Sequence, residues 1–225
     1  MLLPHSVVGS QTNDPYFNNV SLLLSARDGI IKDYSKNNHA ISVVGNTAIS
    51  SAQAKWGNKS IYFDGNGDYL DTIFLSDLIL NGDFTIEIWV TASNSVSGYT
   101  SCILSAQTTG AWNANGCGLR LHHDNLIIGA DTSKQINFTL LQNSVVANLI
   151  IKRTSGIVSL YLNGILAGSV SYSGIICSSD KWGVGFSDRA YGAPREFFNG
   201  FVHELRITKG IARTISVPTQ PYPNW

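Results

Sequence analysis

Short β-type segments follow one another along almost the whole chain. Runs rich in Val, Ile, Leu, Tyr and Thr are separated by clusters of Gly, Asn, Asp and Ser from residue 16 onward. The strongest two-residue turn signal is Asn163-Gly164, which joins residues 158–162 to residues 165–170 in a hairpin. No segment repeats its apolar residues with a helical period over the length of an ordinary helix. The pattern therefore predicts an all-β fold, a two-sheet antiparallel β-sandwich.

The predicted strands lie in one stretch without a break in composition. Residues 16–225 are therefore predicted to form a single domain, with two small domains as the alternative. Residues 1–15 end in Asn-Asp-Pro and are predicted to be an N-terminal arm or linker. Asn199-Gly200 is interpreted as a turn, and the proline-rich residues 218–225 are expected to lie extended against the body. The predicted strands are residues 20–24, 40–44, 60–63, 69–73, 84–90, 102–106, 118–122, 126–130, 136–140, 148–153, 158–162, 165–170, 182–186 and 201–208.

The chain carries few charges. Only 13% of its 225 residues are charged and the formal net charge is zero, which disfavours nucleic acid as a partner because no basic excess is present. No apolar stretch approaches the ~20 residues of a membrane span, so no membrane insertion is expected. A neutral surface of Ser, Thr, Asn and Gly suits contact with an uncharged glycan. It equally suits a subunit that packs in an assembly.

The cysteines and the N-terminus bear on where the protein is made. The first five residues, Met-Leu-Leu-Pro-His, have neither a basic start nor a sustained apolar run, so no signal peptide is expected. Cys102, Cys117 and Cys177 are odd in number and are not spaced as metal-binding pairs. We therefore expect reduced thiols in a protein made in a reducing cytoplasm, with a Cys102–Cys117 bridge as the alternative.

The sequence lacks the common hydrolytic patterns. A glycosidase needs two carboxyl groups about 5–9 Å apart, but the residues two positions from Glu87 on its predicted strand are Thr85 and Trp89. Glu87 is instead expected to pair with a basic strand residue such as Arg206. A Gly-x-Ser-x-Gly nucleophile pattern is missing as well. The sequence therefore predicts a protein that is not an enzyme.

A sugar-binding site requires exposed aromatic rings beside amide or charged side chains. The long loops rich in Gly, Ser and Asn supply such residues, whereas Trp89 and Tyr161 lie on predicted strands and are expected in the core. His122 and His123 are adjacent on a strand and point to opposite faces, so we do not expect them to share a metal ion. The candidate carbohydrate-binding residues are Tyr99, Trp112, Asn113, Asn115, Trp182, Asp188, Arg189 and Tyr191.

Four segments, taken in order, resemble a known family. Residues 60–70 begin Ser-Ile-Tyr-Phe-Asp-Gly, residues 84–90 read Phe-Thr-Ile-Glu-Ile-Trp-Val, residues 159–164 read Ser-Leu-Tyr-Leu-Asn-Gly, and residues 198–213 begin Phe-Asn-Gly-Phe-Val-His-Glu. Together they resemble the laminin-G-like, concanavalin A-like lectin/glucanase jelly rolls. Residues 14–24 and the Arg-Ile-Thr-Lys-Gly-Ile-Ala-Arg ending further resemble the versions found in bacteriophage tail and virion proteins.

The resemblance implies a jelly-roll fold. It also implies calcium as the possible cofactor. In such domains the polar loop after the first strand often meets the closing strand around the ion, which here would bring Asp33 and either Asn37 or Asn38 near Glu204. His203 stands where the family has an acidic residue, and imidazole suits calcium poorly. The alternative is therefore that no ion binds and that Asp33 caps its own turn.

The resemblance also implies a function. It favours a non-catalytic, lectin-like carbohydrate-binding module of a phage virion, used in recognition of the host surface. The alternative is a purely structural virion protein, in a tail, a fibre or a capsid decoration, that acts through protein–protein contacts. In both cases we expect a homo-oligomer or another multicopy assembly on the virion, with host surface glycans or neighbouring virion proteins as partners.

Overall fold

The fold is an antiparallel β-sandwich. The computed structural model of the chain describes residues 13–56, 59–72, 76–93, 101–106, 118–129, 134–138, 145–177, 182–187 and 196–225. These residues form two sheets that pack face to face, which confirms the predicted all-β fold. The helices among them are the single 3₁₀ turns Phe17–Asn19 and Ser76–Leu78, and no described helix is long enough to cross a membrane. The strands are β1 (Val20–Ser25), β2 (Lys32–Asp33), β3 (Ile41–Val44), β4 (Ala48–Ser50), β5 (Ser60–Asp64), β6 (Tyr69–Thr72), β7 (Phe84–Ala92), β8 (Cys102–Ala106), β9 (Leu119–His122), β10 (Asn125–Ile128), β11 (Gln135–Asn137), β12 (Ala147–Thr154), β13 (Ile157–Leu162), β14 (Ile165–Ser171), β15 (Trp182–Val184) and β16 (Asn199–Lys209).

The strands divide between two sheets. The first sheet has the order β14-β13-β12-β7-β16-β1-β2, with β5 paired to β16 and β4 paired to β5. The second sheet has the order β11-β10-β9-β8-β15-β6-β3. The sequence pattern does not predict β2 and β4, because strands of two and three residues are too short to show an alternation of apolar and polar side chains.

β7 and β16 form the centre of the first sheet. Ile88 of β7 and Leu205 of β16 are fully buried between the sheets, so the neighbouring residues Glu87 and Arg206 point to the outer face. The register of the two strands places Arg206 directly opposite Glu87. Arg206 Nε donates to Glu87 Oε2 at 2.6 Å, which confirms the predicted pair.

A continuous hydrophobic core fills the space between the two sheets. Each large apolar side chain that leaves water there contributes roughly 1.5–3 kcal/mol to stability, so this core is the main source of the folding free energy. Both sheets contribute to it, as does the turn at Ser76–Leu78. Its largest fully buried side chains are Leu22, Leu24, Ile61, Phe63, Leu70, Phe84, Trp182 and Phe198.

Asn199 and Gly200 do not form the turn that the sequence predicts. They belong to β16, where Gly200 pairs with Phe63 of β5 on one side and with Ala92 of β7 on the other. The backbones approach so closely that a Cβ at Gly200 would clash with the Thr91 carbonyl oxygen. The turn interpretation is wrong because strands on both sides pair with this segment and override its local preference.

Both ends of the described chain lie against the outer face of the first sheet. Tyr222 is buried there, which confirms the expected position of residues 218–225. The backbone N–H of Asp14 donates to the Trp225 carbonyl at 3.2 Å, and its carboxylate accepts from Arg206 at 2.9 Å and from Arg213 at 2.8 Å. Asp14 is therefore part of the domain and not of a free arm, and residues 1–12 lie outside the described residues.

Candidate functional site

A group of polar side chains lies on the outer face of the second sheet. Leu119 and Leu121 of β9 point into the core, so Arg120 and His122, which alternate with them, point outward. Glu196, from the segment that leads into β16, reaches the same place. The group, called the Glu196 cluster below, consists of Arg120, His122, Asn125, Ser187 and Glu196.

The carboxylate of Glu196 joins the members of the cluster. Its Oε2 atom accepts hydrogen bonds from His122 Nε2 at 3.1 Å and from the Ser187 hydroxyl, and Arg120 Nη1 lies 3.9 Å away. The side chains of Glu196 and Arg120 are 16% and 12% exposed, whereas that of His122 is fully buried. Glu196 and Arg120 are therefore accessible to a ligand, and His122 and Ser187 hold the carboxylate from the protein side.

Both ring nitrogens of His122 face oxygen acceptors. Nδ1 lies 3.1 Å from Asn125 Oδ1, and the orientation of that amide is set because its Nδ2 donates to Asp124 Oδ1 at 2.7 Å. Nε2 faces the Glu196 carboxylate. The ring of His122 is therefore held at both of its nitrogens, by Asn125 on one side and by Glu196 on the other.

Glu196 stays ionised in this position. Burial acts to raise its pKa, but the hydrogen bonds from His122 and Ser187 and the charges of His122 and Arg120 outweigh burial and lower the pKa of Glu196 below its ordinary value. An ionised carboxylate only accepts hydrogen bonds. The site therefore presents a fixed acceptor to any hydroxyl group that reaches it.

The backbone at Glu196 is strained. Its φ is +51°, in the left-handed region that non-glycine residues seldom adopt. β8 holds this conformation, because the backbone N–H of Cys102 donates to the Glu196 carbonyl at 2.7 Å and Cys102 forms a parallel bridge with Phe197. Strained residues concentrate at ligand-binding and active sites, so the strain marks Glu196 as a candidate functional residue.

The thiol of Cys102, whose backbone bonds to Glu196, is unreactive. Cys102 and Cys177 are buried, and Cys117 lies outside the described residues, so the reduced state of the three thiols stays a prediction. Burial raises the pKa of Cys102, so its sulfur stays protonated. A buried, protonated thiol does not act as a nucleophile.

An aromatic surface borders the Glu196 cluster. The ring of Tyr69 in β6 packs against the rings of Phe186 and Phe197, with centroids 4.4 Å and 6.4 Å apart. Phe186 directly precedes Ser187 and Phe197 directly follows Glu196, so the rings and the polar cluster share two chain segments. Tyr69 and Phe197 are half-buried. They offer the apolar surface against which the C–H face of a sugar ring packs.

Seven of the eight predicted sugar-binding residues lie outside the described residues. Two of the segments that carry them adjoin the Glu196 cluster: residues 188–195 are flanked by two of its members, and residues 94–100 lead into the end of β8 that pairs with His122. Residues 107–117 follow the opposite end of β8. The seven residues are Tyr99, Trp112, Asn113, Asn115, Asp188, Arg189 and Tyr191.

Trp182 does not present its ring at the surface. It lies in β15 and is fully buried in the core, where its indole N–H donates to the Leu78 carbonyl at 3.1 Å. The prediction that Trp182 contacts a sugar is therefore wrong. The polar residues before it favour an exposed loop, but β15 pairs with β6 and β8 on its two sides and is drawn into the sheet.

The sequence did not single out the members of the Glu196 cluster as site residues. A local signal exists for two of them, because Arg120 and His122 alternate with Leu119 and Leu121 and so face away from the core. Ser187 and Glu196 carry no comparable signal, since neither lies in a predicted strand with alternating apolar and polar residues.

The cluster lacks the connections of a catalytic triad. The Ser187 hydroxyl donates to Glu196 and not to a histidine, and both ring nitrogens of His122 face acceptors. Among the described residues, therefore, no histidine is placed to take a proton from Ser187, whose hydroxyl instead holds the Glu196 carboxylate. The arrangement suits the binding of a ligand better than acid–base chemistry.

Asp33, a predicted calcium ligand, is occupied by its own turn. Its Oδ1 accepts hydrogen bonds from the backbone N–H groups of Leu23 at 2.9 Å and Ser35 at 2.8 Å, and its Oδ2 accepts from the N–H of His39 at 2.9 Å. This is the alternative role that the sequence left open. Asp33 therefore stabilises the loop after β1 through backbone contacts.

The other two predicted calcium ligands turn to different partners. Asn37 donates to Asp77 at 2.7 Å, and Glu204 forms an ion pair with Arg27 at 2.6 Å. Across the described ranges, no group of three His, Cys, Asp or Glu side chains is placed to hold a metal ion. The expected gathering of Asp33, Asn37 and Glu204 around one ion is thus not what the structure shows, because each already has a partner of its own.

His203 occupies a β-bulge and is neutral. It is the extra residue between Val202 and Glu204 in the register with β7. Its Nδ1 accepts the backbone N–H of Lys55 at 3.1 Å, and its Nε2 lies 2.9 Å from the Thr91 hydroxyl. Burial, together with the Lys55 charge, lowers the pKa of His203 to about 4.

We expect His203 to make stability depend on pH. Its ordinary pKa of 6.5 returns on unfolding, so the unfolded chain binds the proton first and the free energy of unfolding decreases as the pH falls from 6.5 to about 4. The pKa difference corresponds to about 3 kcal/mol. Urea unfolding across this pH range measures the loss. His203→Gln, which keeps an acceptor and a donor, should remove most of it, and an unchanged pH dependence in that variant would rule out His203 as the cause.

A family model matches most of the chain. The model of the concanavalin A-like lectin/glucanases superfamily matches residues 64–214, a range that includes the whole Glu196 cluster. No curated protein sequence is significantly similar to the chain.

Several solved structures share the fold. The binding domain of botulinum neurotoxin serotype D/C aligns with a TM-score of 0.63 at 14% identity, over 86% of this chain and 49% of that chain. Domain 4 of a GH43 extracellular arabinanase from Geobacillus stearothermophilus, in complex with arabinotriose, aligns with a TM-score of 0.64 at 18% identity. The alignment covers 85% of this chain and 93% of that chain. A structure of botulinum neurotoxin type C, whose cell entry depends on interaction with two ganglioside molecules, aligns with a TM-score of 0.61 at 12% identity. The alignment covers 85% of this chain and 48% of that chain. The chain thus spans about half the length of the toxin domains, and at these identities the likeness is one of fold.

Proposed function

Because the chain belongs to the concanavalin A-like lectin/glucanases superfamily, we propose that it is a non-catalytic carbohydrate-binding domain whose site is the outer face of the second sheet. The observation that carries the proposal is the ionised, partly exposed carboxylate of Glu196, held by His122 and Ser187 beside the Arg120 guanidinium. The hydrogen bonds that occupy Ser187 and His122 support a binding role over a catalytic one.

Each part of the site suits one part of a sugar. Glu196 accepts a hydrogen bond from a hydroxyl group and Arg120 donates one, and such charge-assisted bonds are roughly twice as strong as neutral ones. The rings of Tyr69 and Phe197 cover the C–H face of the sugar. Because His122 and Ser187 already hold Glu196 in place, little side-chain freedom is lost when a ligand binds.

Two structural neighbours support a glycan as the class of ligand. The arabinanase domain is in complex with arabinotriose, and cell entry of the type C neurotoxin depends on interaction with two ganglioside molecules. At identities of 18% and 12% the two proteins do not specify the sugar that this chain binds. The proposal therefore names the class of ligand and leaves the glycan to experiment.

A glycan array probed with a tetravalent form of the domain tests the proposal. Linked sites gain about 10²–10⁴-fold in avidity over a single site, so tetravalent display reveals a ligand that one copy binds weakly. We expect binding to a restricted set of glycans, reversed by the same glycan free in solution. Binding to no glycan on the array would overturn the proposal.

We further propose that many copies of the domain are displayed on a bacteriophage virion and recognise the host surface. The support is the resemblance of residues 14–24 and 206–213 to virion proteins, together with the avidity that repeated display gives to a weak site. Immunogold electron microscopy of purified particles tests the location. Label on the tail or capsid is the expected result, and particles without label would contradict it.

A structural role through protein contacts is the second candidate function. One corner of the first sheet favours it: Ile165 and Leu166 of β14 are 75% and 54% exposed and border a groove of about 380 Å³ that also contacts Phe138. β14 is an edge strand and carries no charge, and such edges readily pair with other chains. A stable oligomer that binds no glycan on the array would favour this role over the lectin.

A further inference from the structure

Around Trp89 on the outer face of the first sheet lie three buried polar atoms without a hydrogen-bond partner in the described part of the chain. They are Nε1 of Trp56, Nε1 of Trp89 and Oδ1 of Asn148. Trp89 and Asn148, which are 3% and 0% exposed, lie directly opposite each other on β7 and β12. The ring of Trp56 meets the ring of Trp89 edge to face, with centroids 5.7 Å apart. Buried polar groups nearly always have a partner, so these three atoms call for a ligand or water.

The three atoms have complementary hydrogen-bonding character. The indole N–H groups of Trp56 and Trp89 only donate, whereas the amide oxygen of Asn148 only accepts. The amide is oriented by its Nδ2, which faces the Tyr222 hydroxyl at 3.5 Å. A single hydroxyl group accepts one bond and donates another, which are the two roles that an indole N–H and the Asn148 oxygen require of a partner.

We propose that this point is a second glycan-binding site. A ring hydroxyl accepts from the Trp89 indole and donates to Asn148 Oδ1, and the C–H face of the same sugar packs on the half-buried ring of Trp56. The site lies on the first sheet, on the opposite side of the sandwich from the Glu196 cluster. It therefore does not depend on the function proposed for that cluster.

Lys55 covers the proposed site. Its ammonium group lies 5.0 Å from the ring centroid of Trp56 and 4.6 Å from that of Trp89. The Lys55 side chain is exposed, so it can move into solvent when a sugar takes its place over the rings. Removal of this side chain should therefore increase the affinity of the site.

The indole N–H signals in ¹H–¹⁵N NMR spectra test the second site. The chain has five Trp residues, and Trp56→Phe assigns one of the two relevant signals. We expect saturable shifts of Trp56 and Trp89 with at least one of D-glucose, D-galactose and arabinotriose. The Trp182 signal should stay in place, because its N–H is bonded to Leu78 inside the core. Asn148→Ala should weaken binding about tenfold or more, and Lys55→Ala should strengthen it.

The variant Glu196→Ala separates the two sites. It should remove binding at the Glu196 cluster and leave the shifts of Trp56 and Trp89 unchanged, so either site can fail without the other. If neither signal moves with any of the three sugars, in the wild type or in Lys55→Ala, the site is overturned and the three atoms bind buried water only. Shifts that persist at full strength in a folded Asn148→Ala variant would overturn it too. Should that variant not fold, the titration of Lys55→Ala decides alone.

Discussion

Replacing Arg206 with methionine is expected to lower the free energy of unfolding by about 3–5 kcal/mol. Arg206 donates to Glu87 at 2.6 Å and to Asp14 at 2.9 Å, and all three side chains are buried on the outer face of the first sheet. Methionine retains the apolar stem but removes the charge, so Glu87 is left buried without its main partner. Asp14 keeps its bonds to Arg213. Urea denaturation at neutral pH measures the loss.

Two further variants separate the charge from the packing. Adding Glu87→Leu to Arg206→Met should recover most of the lost stability, because replacing a whole buried ion pair with apolar side chains is often nearly neutral. Lys32→Met removes the exposed pair between Lys32 and Asp28, 3.7 Å apart, and should change stability by less than about 1 kcal/mol. A loss in Arg206→Met no larger than that in Lys32→Met would contradict the stabilising role of the buried pair.

Replacing Glu196 with alanine is expected to weaken glycan binding about 100-fold or more, which corresponds to about 3 kcal/mol. The substitution removes the charged acceptor that is proposed to bind the sugar and also frees the His122 and Ser187 donors that hold it. Glu196→Gln should lose less, since its amide keeps one oxygen acceptor. Isothermal titration calorimetry with a glycan selected on the array measures both losses.

The matched control for Glu196→Ala is Asp28→Ala. Asp28 is an exposed carboxylate at the first sheet, so its removal changes the net charge equally without touching the proposed site, and affinity should stay at the wild-type value. Thermal melting identifies any variant that fails to fold. A folded Glu196→Ala variant with wild-type affinity would show that the Glu196 cluster is not the binding site.

The fold and its central ion pair follow from local sequence patterns. The alternation in residues 84–90 places Ile88 on the face opposite to Glu87, and the same alternation in the last strand places Arg206 on the outer face. Glu87 and Arg206 thus point outward from two neighbouring central strands and carry opposite charges. The register between those strands is all that is then needed to bring the two side chains together. Such a pair can be predicted because few arrangements satisfy both strands.

The Glu196 cluster could not be predicted in the same way. His122 and Glu196 are 74 positions apart, and the sequence around Ser187 and Glu196 shows no alternation that would indicate which way their side chains point. The errors at Trp182 and Asn199-Gly200 have the same origin, because in each case neighbouring strands override a local preference for loop or turn. Sequence patterns indicate which side of a strand faces the core, but not which distant segment covers the other side.

A crystal structure of the domain with a glycan selected on the array shows directly where the sugar binds. We predict a sugar on the outer face of the second sheet, with one hydroxyl about 2.5–3.0 Å from the Glu196 carboxylate, another hydroxyl bonded to Arg120, and its ring against Tyr69 or Phe197. A structure in which no bound glycan contacts the Glu196 cluster would contradict the proposed site.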